Sequence, residues 1–222
     1  MKKIMFSEKF GLTKAVLSGR KTQTRRIITC PKEFKGEWVA GFYVYKRESD
    51  GAIINWPCMY DADEATFDGG EILPKYKLGE VVAVAQSYKD AGFHPDTQME
   101  QEIRGSKTKG VLHCPIRYVG GWNNKLFVAP NMMPHRIRIT DVRVERLQDI
   151  SDEDCMAEGV CKWTKDRELS KYDMADGFEM FEWRDMPRTP REAYAALIDR
   201  ISGKGTWQSN PYVFVYEFEL IK

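Results

Sequence analysis

Apolar positions along the chain recur with two periods, and the change from one to the other marks its elements. Leu12, Ala15 and Val16 share one helical face, with Ser7 placed as a cap and Gly19 as a stop, so the pattern predicts a helix over 7–18. Residues 22–28 then read as a strand. Aromatic and β-branched residues over 38–46, a turn at Ser49-Asp50-Gly51 and a return over 52–56 predict a β-hairpin. After the Leu78-Gly79-Glu80 turn comes Val81-Val82-Ala83-Val84-Ala85. This unbroken apolar run fits a strand of a central sheet covered on both faces.

The segment 88–109 is polar and weakly periodic, which predicts a long loop or insertion before a strand around 111–118. Over 135–147, Ile137, Ile139, Val142 and Val144 interleave with charged residues, and the alternation slips at Thr140-Asp141. Such a slip predicts a bulge within a long strand. Ser151 opens a short helix whose first turn carries Asp152, Glu153 and Asp154, with Ile150 set to pack on Cys155 and Gly159 as the stop. Residues 161–187 are charged and aromatic without a clean period. Thr189-Pro190-Arg191-Glu192 is a capping box, and Tyr194, Leu197, Ile198 and Ile201 form the apolar stripe of the helix it starts. The stretch 212–220 reads as a final strand. Many strands separated by turns, with few helices and no βαβ rhythm, predict an α+β fold on a partly closed β-barrel.

At 222 residues the chain can bury a core without staples. Lys and Arg total 34 against 33 Asp and Glu, a formal charge of +1, which weighs against extended duplex binding through many phosphates. No apolar run reaches the roughly 20 residues that span a bilayer. Glu8-Lys9 arrives before any signal-peptide core can form, so a cytoplasmic chain with no membrane contact is expected. The five cysteines are scattered without a C-x-x-C pair, and His94, His113 and His135 lack metal-ligand spacing. Reduced thiols, no metal and no cofactor are the expectation.

The densest polar segment is Gly19-Arg20-Lys21-Thr22-Gln23-Thr24-Arg25-Arg26, with four cations and two hydroxyls at a helix end and a strand start. Cations there complement the helix dipole, but they also suit a phosphate or the polar edge of a base, with the threonine hydroxyls at a strand mouth. Glu158 is the second anomaly. It puts a carboxylate at the negative end of its helix, where the dipole disfavours it.

These segments, together with Leu78-Gly79-Glu80-Val81, the run Thr140 to Ile150 leading into Asp154-Cys155-Met156-Ala157-Glu158-Gly159, and the ending Asn210-Pro211-Tyr212-Val213-Phe214-Val215-Tyr216-Glu217-Phe218, resemble the ASCH domain family. The likeness is to the longer ASCH proteins common in phages and prophages, and the motifs follow the family's order. It implies one PUA-like domain over 1–222, with insertions at about 31–75, 87–133 and 161–187. The PUA-like fold is associated with recognition of RNA and modified nucleobases. Some small members remove the acetyl group of N4-acetylcytidine with a lysine, a threonine and a glutamate. Those residues match Lys21, Thr24 and Glu158 here, with Arg20, Thr22, Arg25, Arg26 and Gln86 as substrate-binding candidates. Gln86 stands where a carboxylate is usual and Ala83 where an aromatic is usual.

An amide hydrolase needs an activated nucleophile, a proton shuttle and a group to hold the oxyanion. Thr24 would attack the acetyl carbonyl. Lys21 would serve as base if burial and the neighbouring Arg20 and Arg25 lowered its pKa; alternatively Glu158 is the base and Lys21 the oxyanion stabiliser. On a regular strand Lys21 and Thr24 would face opposite ways, so the scheme requires an irregular backbone just after Gly19. The competing expectation is a non-catalytic module for RNA or DNA, a short single strand included, or a modified base. Its backbone contacts would come from Arg25, Arg26, Arg136, Arg138 and Arg143. A third is a phage accessory factor docking a host protein through Trp122, Trp163, Phe178, Phe181 and Trp183.

Overall fold

The alternating segments converge on one five-stranded sheet in the computed structural model, which describes residues 1–102, 111–165 and 169–221. Its strands are β1 (Lys3–Ile4), β2 (Gln23–Ile27), β3 (Val81–Val84), β4 (Arg136–Arg146) and β5 (Tyr212–Ile221), in the order β1-β3-β4-β5-β2. Only β1 and β3 run parallel. The apolar run of β3 has the predicted cause. Val82 and Val84 enter the main core, while Ala83 and Ala85 face a second cluster with Tyr88, Ile116 and Met133. The slip in β4 is a register shift against β5 between Ile139 and Asp141. It lets Ile137, Ile139 and Val144 all be buried despite their broken spacing.

Among the described residues the sheet does not close into a barrel; β1 and β2 are its edges. A side chain spans the gap between them. Arg26 on β2 donates to the carbonyl of Met5, one residue beyond β1, at 2.6 Å. The fold is therefore mixed α+β, mostly sheet, with few helices. No helix among the described residues is long and apolar enough to cross a membrane.

The helices that frame the site are α1 (Leu12–Leu17), α2 (Asp152–Ala157) and α3 (Pro190–Ser202). The predicted helix over 7–18 is broken at Gly11. Its φ of 63° separates a 3-10 turn, Glu8–Phe10, from α1, and Ser7 makes no side-chain cap. A Cβ at Gly11 would sit 2.4 Å from Phe178 Cδ2, so packing as well as backbone geometry selects glycine. The other two caps form as expected. Ser151 Oγ accepts from the Asp154 N–H at 3.0 Å, and Thr189 Oγ1 accepts from the Glu192 N–H at 3.2 Å.

The insertions hold more strand than their sequences suggest. Gly41–Tyr43 pairs with Cys58–Tyr60, beyond the predicted 52–56, and Thr66–Glu71 adds a third strand; a Lys46–Ile53 bridge closes the turn. Gln98–Glu102, within the segment expected to be a loop, pairs with Val111–Pro115, and residues 103–109 of that segment lie outside the described residues. The 161–187 segment contains the hairpin Cys161–Lys165 with Leu169–Asp173, which sequence periodicity missed. Buried Asp173 organises the chain after it by accepting the N–H groups of Met174, Met180 and Phe181.

Candidate active site

Lys21 reaches the site because the chain turns before the strand begins. Gly19 adopts a left-handed φ of 76°, and the Lys21 N–H then folds back to donate to the Ala15 carbonyl at 3.0 Å. The Thr22 N–H donates to the Ala157 carbonyl at 2.9 Å, so the strand ladder starts only after this point. This is the irregular backbone that Lys21 and Thr24 require, and both line a cavity of about 260 Å³. Arg25, Glu158 and Tyr194 line it too, and its rim includes Arg26 of β2 and the exposed Ile201 of α3.

Glu158 is the C-cap residue of α2, where a carboxylate faces the negative end of the helix. Two cations offset this. Lys21 Nζ donates to Glu158 Oε2 at 2.5 Å and to the Glu158 carbonyl at 2.8 Å, pairing the carboxylate while capping the helix. Arg25 Nη1 lies 3.4 Å from Glu158 Oε1. The Lys21 and Glu158 side chains are 1% and 5% exposed, so this is a pair taken almost wholly out of water. Burial is the largest influence on Lys21 and lowers its pKa. Glu158 opposes that shift, and Arg26 and Arg25 add to it.

A polar network extends from the pair toward solvent. Arg25 Nη2 donates to Asp154 at 2.8 Å and Glu145 at 3.0 Å, while Nη1 donates to Gln23 Oε1 at 2.7 Å. Gln23 Nε2 continues to Asp154 and Glu217. Arg143 also engages Asp141, Glu145, Asp154 and Glu217. Three hydrogen-bonding groups remain without protein partners near the centre. Tyr194 Oη and Arg25 Nε are buried and unsatisfied among the described residues, and Thr24 makes no side-chain hydrogen bond there. Tyr194 is fully buried, and burial pushes its phenol well above its ordinary pKa, with Glu158 adding to the rise. Its hydroxyl therefore stays protonated and remains a donor.

The structure brings Lys21, Thr24, Glu158, Arg25 and Arg26 together, and leaves the other sequence candidates elsewhere. Arg20 points to Asp176, at 2.7 Å, and to the Cys161 sulfur. Thr22 is exposed, because its strand neighbours Gln23 and Thr24 take the inward positions. Gln86 is buried at the far end of β3, where its amide donates to the Asp90 carbonyl at 3.4 Å. Sequence reasoning missed Gln23 and Tyr194. Tyr194 sits in an apolar helical stripe, and a period reports which face is buried but not that a hydroxyl is left there without a protein partner among the described residues.

A larger groove of about 870 Å³ runs between the 41–71 insertion and β4, lined by Tyr45, Trp56, Arg143 and Glu145 among others. Its Arg143 and Glu145 are paired with each other, and among the described residues it holds no buried ion pair like Lys21–Glu158, so the smaller cavity holds the stronger chemical case. Among the described residues no group of three His, Cys, Asp or Glu is arranged to hold a metal ion, and the five cysteines are free thiols. No protein-family model, curated protein or solved structure matches the chain.

Proposed function

We propose that the chain is an ASCH-type amidohydrolase on a PUA-like, partly closed sheet, hydrolysing the acetyl amide of N4-acetylcytidine or a related modified nucleobase. The observation that carries this reading is the convergence of Lys21, Thr24 and Glu158, the last 137 positions from the first, on one cavity around a buried ion pair. The curl of the sheet, with Arg26 bridging its two edges, supports the PUA-like description. A volume of about 260 Å³ lies just below the roughly 300–1,000 Å³ of sites for drug-sized ligands, which suits a base with its sugar toward the mouth.

The division of roles follows from the hydrogen bonds. Lys21 commits two N–H groups to Glu158, leaving a third for the oxyanion. Among the described residues Glu158 Oε1 has only the 3.4 Å contact to Arg25, so it is the more available proton acceptor. Thr24 Oγ1 attacks the acetyl carbon and its proton passes to Glu158. The C–N bond then breaks, and that proton goes to the leaving amine. Water next attacks the acetyl ester on Thr24, giving a proton back to the threonine oxygen and releasing acetate.

The competing nucleic-acid module has fewer cations to offer than its sequence suggests. Arg143 is held by four carboxylates, Arg138 pairs with Glu219 at 3.1 Å and the Arg25 side chain is fully buried. The amidohydrolase reading is tested by chromatographic conversion of N4-acetylcytidine to cytidine. Lys21→Ala, Thr24→Ala and Glu158→Ala are each expected to reduce turnover at least about 100-fold, the scale of losing a proton shuttle or oxyanion donor. Turnover that survives all three in folded variants would refute it.

A further inference from the structure

Arg26 and Ile27 line a second cavity as well as the first, forming a shared wall on the edge strand β2. This cavity measures about 360 Å³ and is bordered by Lys3, Arg26 and Lys75 above the rings of Tyr76, Phe214 and Tyr216. Among the described residues no aspartate or glutamate lines it. Nor does any of the three cations have a carboxylate within 4.0 Å among the described residues, in a chain that pairs Lys2, Lys21, Arg20, Arg25, Arg138 and Arg143.

The three cations are held in different ways. Lys3 Nζ donates to the carbonyls of Leu126 at 2.6 Å, Val128 at 2.8 Å and Lys125 at 3.3 Å, which fixes its charge and uses its donors. Arg26 uses one N–H on Met5, and the Lys75 ammonium rests 5.5 Å from the Tyr76 ring centre with its donors uncommitted among the described residues. Proximity to Lys75 helps burial lower the Lys3 pKa, a like-charge repulsion that an anion would relieve. The Tyr76 hydroxyl donates to the Lys3 carbonyl, and the Tyr216 oxygen accepts from the Lys75 backbone N–H. The rings thus offer apolar surface. Arg26 and Ile27, which line both, set the two cavities side by side along β2.

We propose that this cavity binds the phosphate of a mononucleotide whose base occupies the neighbouring site, so that the preferred substrate is an acylated nucleoside monophosphate rather than the free nucleoside. The proposal rests on reading the first cavity as a nucleobase site. Charge-assisted hydrogen bonds from Arg26 and Lys75, partly screened by solvent, give an expected preference of roughly tenfold.

Calorimetric titration of cytidine and cytidine 5′-monophosphate tests this on the wild type and on Lys75→Ala, a substitution at an exposed position outside the first cavity. The wild type should bind the monophosphate roughly tenfold tighter. That preference should fall several-fold in Lys75→Ala and when salt rises from about 50 to about 500 mM. Equal affinities, no binding of the monophosphate, or a preference unchanged in Lys75→Ala would overturn the proposal. So would an oligocytidylate binding far tighter than the monophosphate with a steep salt slope, which would assign the cations to a strand. Parallel kinetics on N4-acetylcytidine and its 5′-monophosphate keep the two claims apart. Hydrolysis of neither compound refutes the amidohydrolase, while the titration still decides the phosphate subsite.

Discussion

Replacing Glu158 by glutamine removes one charge from the centre of the site and keeps its shape. Arg25 retains Asp154 at 2.8 Å and Glu145 at 3.0 Å, so the loss falls on Lys21, whose side chain is 1% exposed and keeps no other carboxylate within 4.0 Å among the described residues. Breaking a buried pair from one side costs about 3–5 kcal/mol. Lys21 has one escape, which is to fold uncharged. From its ordinary pKa of 10.5 that costs about 1.4 kcal/mol per pH unit, so about 6 kcal/mol near pH 6 but only about 2 kcal/mol near pH 9. Glu158→Gln should therefore destabilise the protein by about 3–5 kcal/mol near pH 6 and by about 2 kcal/mol near pH 9. The double variant Lys21→Met/Glu158→Gln, which leaves no unpaired charge, should recover most of the loss. Urea unfolding followed by tryptophan fluorescence at both pH values measures each quantity. A cost below about 1 kcal/mol near pH 6, or a double variant no more stable than Glu158→Gln, would refute the reasoning.

Three further outcomes follow from neighbouring residues. Tyr194→Phe deletes a buried hydroxyl without a partner among the described residues, so it should raise stability by about 1 kcal/mol in thermal unfolding, and a loss of stability would contradict the unsatisfied hydroxyl. Because burial lowers the Lys21 pKa, the folded chain binds fewer protons than the unfolded chain between that lowered value and 10.5. The wild type should accordingly gain stability relative to Lys21→Met as pH rises through this window, and an opposite slope in paired urea titrations would contradict the lowered pKa. Gly11→Ala forces a Cβ to within 2.4 Å of Phe178 at a φ of 63° and should cost about 2–4 kcal/mol by urea unfolding; a neutral result would contradict the tight packing there.

Much of the central sheet is legible in the sequence because its strands obey simple burial rules. β3 reads as a continuous apolar run because its faces enter two separate clusters, and the slip at Thr140-Asp141 is the bulge that keeps β4 in phase with β5. The insertions are not legible. Gln98–Glu102 carries one apolar residue in five, and its strand exists only through pairing with Val111–Pro115, a non-local fact that a local period does not encode. Glu158 stands out in the sequence because it violates the helix-dipole rule, and the buried Lys21 ammonium is the physical resolution. Arg20 and Gln86 look equally eligible by residue type. They are removed from the site by Asp176 and by the length of β3, partners that spacing along the chain does not reveal.

The most direct measurement is a progress curve of wild-type protein on N4-acetylcytidine, quantifying cytidine and acetate together and extended well beyond one equivalent of enzyme. The account predicts multiple turnovers with the two products in equal amounts, and their loss in Thr24→Ala and Glu158→Gln. Folded protein that releases neither product above buffer, from the nucleoside or from its 5′-monophosphate, would contradict it.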